Sequence, residues 1–101
     1  MAREKIIVKP DPDLAEESEW YLGQLKDYAK RVDEAVSAND FEAVQTIGHR
    51  VKGSAESFGF DGAAEIGRSL ELAAKQKDAP AVKNAADGLS DYLQRVELIF
   101  D

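Results

Sequence analysis

The chain has 101 residues, enough for one domain, with 44% apolar and 33% charged residues, an ordinary globular mixture that argues against disorder. Thirteen lysines and arginines against twenty acids give a net charge of -7, so no overall attraction to nucleic acid or to an anionic membrane is expected. Cysteine is absent, which removes disulfides, thiolate metal sites and thiol chemistry.

Residues 1–10 read as an N-terminal extension. Ile6-Ile7-Val8 is apolar enough to lie extended against the domain. No second strand signal follows, so no sheet is expected. Asp11-Pro12-Asp13 reads as a helix start: an acidic cap, proline at the first helical position and further negative charge in the first turn. Leu14, Tyr21, Leu25, Tyr28, Val32 and Ala35 then recur at threes and fours as one apolar stripe, and Trp20 beside it is expected to close one end of the core.

At Asn39-Asp40-Phe41-Glu42 the first helix ends and a second begins, with Asn39 as cap and Glu42 reaching back to it. The second stripe is Phe41, Val44, Gly48, Val51, Ala55 and Phe58. Gly59-Phe60-Asp61-Gly62 interrupts it, with Asp61 as the expected cap of a third helix that carries Ile66, Leu70 and Ala74 and runs to about Lys77. The small residues Ala63, Gly67 and Ala73 on that helix, and Gly48 and Ala55 on the second, permit close packing. Asp78-Ala79-Pro80 opens a fourth helix with the stripe Val82, Ala86, Leu89, Leu93, Val96 and Phe100, flanked by Tyr92 and Ile99. Four amphipathic helices joined by short connections predict an all-α fold, an antiparallel up-down four-helix bundle over residues 11–101.

His49 is the single histidine. At roughly 100° per residue it stands about 140° from the centre of the second stripe, which puts it on the solvent side. Gly53, one turn on, weakens the helix by roughly 1 kcal/mol relative to alanine and gives no packing on that face in return. It leaves an open patch where another backbone can approach. Lys52 and Arg50 add positive charge. Neutral imidazole is a competent nucleophile and a cation stabilises a phosphoryl group in transfer, so the constellation suits phosphoryl chemistry. Read from periodicity alone, an exposed histidine and a tolerated glycine are equally at home on an ordinary surface.

The run His49-Arg50-Val51-Lys52-Gly53-Ser54-Ala55 resembles the signature of the histidine-containing phosphotransfer (HPt) domain family. The resemblance continues through Phe58-Gly59-Phe60, Leu70-Glu71, Ala73-Ala74 and Lys77-Asp78. It implies a four-helix bundle that relays a phosphoryl group in a two-component phosphorelay. His49 would accept it from a receiver aspartate or a kinase and pass it to another receiver. Lys52 matches the lysine that helps hold the phosphoryl group, Gly53 the glycine that admits the receiver's loops, and Glu71 the third-helix position that bonds the other ring nitrogen. Arg68 and Lys75 lie one turn either side of Glu71, where they either add positive potential or are solvated charge. Gln45 borders the same surface.

No phosphate-binding glycine loop, kinase signature or receiver-type acidic cluster is visible, so no ATP-dependent kinase activity is expected. No cofactor is expected on this chain; Mg²⁺ belongs on the partner receiver. The expected partners are a response-regulator receiver domain and a histidine kinase. No apolar run approaches a signal or spanning segment, and a cytoplasmic monomer is expected. The competing readings are a docking adaptor or inhibitor of a receiver or kinase, and a small bundle that oligomerises.

Overall fold

The computed structural model describes residues 4–99. Four helices make up most of it: α1 (Ala15–Ser37), α2 (Phe41–Ser54), α3 (Asp61–Lys75) and α4 (Ala79–Arg95). Two short strands, β1 (Ile6–Val8) and β2 (Val96–Leu98), flank them in sequence and pair in parallel. Each helix turns one stripe inward. Tyr21, Leu25, Val32 and Ala35 come from α1, Val44 and Val51 from α2, Leu70 and Ala74 from α3, and Val82, Ala86 and Leu89 from α4. These are the positions the periodicity selects, and together they form one core.

The pairing of β1 with β2 overturns the expectation that no sheet forms. Ile6 lies opposite Val96 and Val8 opposite Leu98, with Val8 buried and Lys5 paired to Glu97 at 3.2 Å across the strands. Consequently α4 stops at Arg95, one residue before Val96 turns extended at ψ 136°, and Val96 is a strand residue rather than part of the helical stripe. Phe100, the last member expected of that stripe, lies outside the described residues.

The helix ends also differ in detail. Asp11 does cap, accepting from the Asp13 N–H at 2.9 Å, but the turn it opens is a three-residue 3-10 turn, Pro12–Leu14, and Leu14 is exposed. Asp40, not Asn39, caps α2 by accepting from the Ala43 N–H at 3.0 Å. Asn39 instead takes the left-handed conformation that ends α1, at φ 54°. Asp61 is the first residue of α3, not its cap. Lys77 lies past the end of α3 and reverses the chain at φ 54°. Asp78 caps α4 as expected, through the Ala81 N–H.

Trp20 does not close the core. It is 61% exposed and rests edge-on against Phe58, with ring centroids 6.4 Å apart. Tyr21 fills that role by stacking on Phe58 at 4.6 Å, while its hydroxyl hydrogen-bonds Ser54. Ser18 and Phe60 are among the buried residues that escape the stripes. Ser18 donates its hydroxyl to the Phe58 carbonyl, and Phe60 is fully buried directly after Gly59, whose φ of +90° makes the bend that turns it inward.

Candidate functional site

The site is built by the close approach of α2 and α3, the most extensive helix contact in the molecule. A Cβ on Gly48 would lie 2.7 Å from the Glu71 amide nitrogen and 2.8 Å from the Gly67 carbonyl oxygen. One on Gly67 would lie 2.6 Å from the Lys52 amide nitrogen and 2.9 Å from the Gly48 carbonyl oxygen. The two backbones therefore touch, and only glycine fits at the crossing. The close crossing lets side chains of α3 reach the outer face of α2.

His49 follows Gly48, so its side chain leaves the crossing toward solvent and is 69% exposed. Glu71 reaches across from α3. One carboxylate oxygen lies 2.6 Å from His49 Nδ1 and the other accepts from Lys52 Nζ at 2.6 Å. A single carboxylate thus joins the histidine and the lysine. The hydrogen bond from Lys52 holds the Glu71 carboxyl below its ordinary value of 4.5, against the opposing effect of its partial burial, and the bond from His49 adds to the lowering.

An ionised carboxylate can only accept, so Nδ1 carries the proton and donates it to Glu71. In the neutral ring Nε2 is then the nitrogen with the free lone pair. The geometry selects both an orientation and a tautomer for an exposed imidazole.

Gly53 stands on the open face one turn beyond His49, with nothing within 4 Å of where a Cβ would be. Open grooves beside the histidine are bordered by Gln45, Arg68 and Lys75, as the helix arithmetic places them. Sequence reading did not find Leu72, an exposed leucine at the same groove, nor the bond between Lys52 and Glu71, which joins residues 19 positions apart. Among the described residues no group of three or more histidine, cysteine, aspartate or glutamate side chains could hold a metal ion. Among the same residues no helix is long and apolar enough to cross a membrane.

A four-helix domain with an exposed histidine oriented from the neighbouring helix defines the class. The family model of the Hpt domain matches residues 16–98, and the chain belongs to that family. It is a phosphotransfer domain of a two-component phosphorelay. Comparison with curated proteins and with solved structures gives no match.

Proposed function

We propose that His49 is the phosphoryl carrier, taking the group from a receiver aspartate or a kinase and passing it to a receiver domain. The observation that supports this most is the Nδ1–Glu71 hydrogen bond on a ring that is otherwise open to solvent. In transfer from an aspartyl phosphate, Nε2 attacks phosphorus as the phosphorus–oxygen bond to the aspartate breaks, and the aspartate leaves as its carboxylate. The ring, still protonated at Nδ1, becomes cationic, and the Glu71 carboxylate balances that charge. Lys52 has three donor hydrogens and only one engaged by Glu71 in the described contacts, so its ammonium is placed to meet the phosphoryl oxygens. Gly53 leaves the room in which the receiver's loops close over the histidine.

On this reading the domain needs no cofactor of its own, and Mg²⁺ sits on the receiver. It would work as a monomer in the cytoplasm, and the short connections, such as 38–40 between α1 and α2, favour an antiparallel up-down order for the helices.

The test is transfer from a phosphorylated receiver in the presence of Mg²⁺. The expected result is a label on this chain that is lost in acid, survives base and discharges when a second, unphosphorylated receiver is added. Tight binding to a receiver or kinase with no label from any of them would sink the carrier role and leave a docking inhibitor.

Removing the carboxylate tests the orientation. Glu71→Ala should slow transfer roughly 10–100-fold, the range for removing the partners that orient metal-bound histidines. Glu71→Gln, which can still accept from Nδ1, should lose less. Because the Glu71 carboxyl is held below 4.5, the His49 bond should persist as pH falls through that value and break only lower. The carbon-13 shift of the Glu71 carboxyl reads this directly. A midpoint at or above 4.5 would contradict the shared hydrogen bonding.

A further inference from the structure

The relay chemistry uses His49, Lys52, Gly53 and Glu71 and leaves a neighbouring stripe of α3 without a task. Arg68, Leu72 and Lys75 stand at i, i+4 and i+7 and so share one face of the helix. All three border the groove whose other walls include Gln45, His49 and Lys52. Leu72 is 54% exposed, on a helix whose inner face is already filled by Gly67, Leu70, Ala73 and Ala74. Isolated exposed leucines are common on protein surfaces. This one lies at the edge of the reacting histidine, between two exposed cations that make no ion pair among the described residues.

The charge around it runs against that of the chain. The grooves beside His49 are bordered by Arg50, Lys52, Arg68, Lys75 and Lys77, five of the thirteen cations, and by only two of the twenty acids, Glu42 and Glu71. The remainder is strongly acidic. An acidic partner is therefore drawn to this face and turned away elsewhere. An apolar side chain ringed by charge also has the anatomy of an interface, an apolar centre within a polar rim.

We infer that the Arg68–Leu72–Lys75 stripe selects the partner: Leu72 enters an apolar recess beside the partner's aspartyl phosphate, and Arg68 and Lys75 meet acidic side chains on the rim of that recess. The occupant is a receiver domain with that acid-rimmed recess next to its phosphorylated aspartate. The inference rests on the carrier role of His49 and adds which surface chooses among receivers.

Receiver domains encoded in the source genome serve as probes, each phosphorylated with acetyl phosphate and Mg²⁺. Phosphoramidate serves as a small donor that labels histidine, releasing ammonia, without any docking surface. Leu72→Asp should slow transfer from the fastest receiver by about tenfold or more, the scale of losing a buried anchor, and should narrow its lead over the next. Arg68→Gln with Lys75→Gln should slow transfer at low salt and weaken its salt dependence. Phosphoramidate labelling should stay within about twofold of wild type in each, as for other surface substitutions. If Leu72→Asp keeps both the rate and the ranking of receivers, the inference fails. It fails equally if phosphoramidate labelling falls in parallel, since the stripe would then act on His49 or on the fold; Leu72→Ala repeats the comparison without a buried charge. A wild type that takes no label from either donor overturns the carrier role itself.

Discussion

Replacing His49 by glutamine should remove all phosphoryl label while leaving the melting temperature within a few degrees of wild type. The side chain is 69% exposed and contributes nothing to the core, so the change belongs to surface substitutions, which shift stability by about 0.5 kcal/mol or less. For a domain of this size that is roughly 2–4 °C. Glutamine keeps an N–H able to reach Glu71 but has no nucleophilic nitrogen. His49 is the single histidine of the chain, so no other imidazole can take its place. The measurement is acid-labile label on intact protein beside a thermal melt of the same sample. Label persisting on a folded His49→Gln variant would move the chemistry to a different residue type and end the proposal.

The second large effect is on the crossing of α2 and α3. Gly67→Ala should destabilise the protein because the new methyl group would stand 2.6 Å from the Lys52 nitrogen and 2.9 Å from the Gly48 carbonyl oxygen. Those are backbone atoms and cannot swing aside, so the helices must part. Overpacking of this kind costs about 1–3 kcal/mol, and the better helix propensity of alanine offsets up to about 1. A lower melting temperature is expected, by roughly 4–8 °C per kcal/mol of net loss. Parting the helices also stretches the reach of Glu71 to His49 and Lys52, so transfer should slow even where the variant is fully folded. Gly53→Ala should do the reverse to stability. It has open space around it, so the melting temperature should rise by about the propensity difference, while transfer from a receiver slows because the methyl group intrudes on the docking face. A melt raised by the full propensity difference for Gly67→Ala would mean that the backbones do not meet there.

Much of this was legible in the residues because it is local and periodic. Val44, Gly48 and Val51 fix the inner face of α2, and once that face is fixed the direction of His49 follows from arithmetic. The close packing of small residues was legible for the same reason. Glu71 came from resemblance alone, since no helical period links residue 71 to residue 49. The lysine bond to the same carboxylate was invisible for that reason too: it depends on how near two helices come.

The strands failed differently. Val96 continues the spacing of Leu89 and Leu93, so a helical pattern and a three-residue strand predict the same apolar residue there. Only the partner strand decides between them, and it lies ninety positions away. Asn39 and Asp40 are both good caps by composition. Which one caps is set by the other taking the left-handed turn, a choice that asparagine tolerates well.

The pairing of Ile6 with Val96 also bears on the order in which the molecule assembles. It joins the most distant segments described, whereas α2 and α3 are separated by a six-residue connection. Closing so long a loop is entropically expensive until the intervening helices have condensed, and local contacts form first. The strand pair should therefore be absent from the rate-limiting barrier to folding. Trimming Val8 to alanine should hasten unfolding and leave the folding arm of a chevron plot nearly unmoved, so that this pairing acts as a latch on a bundle already formed.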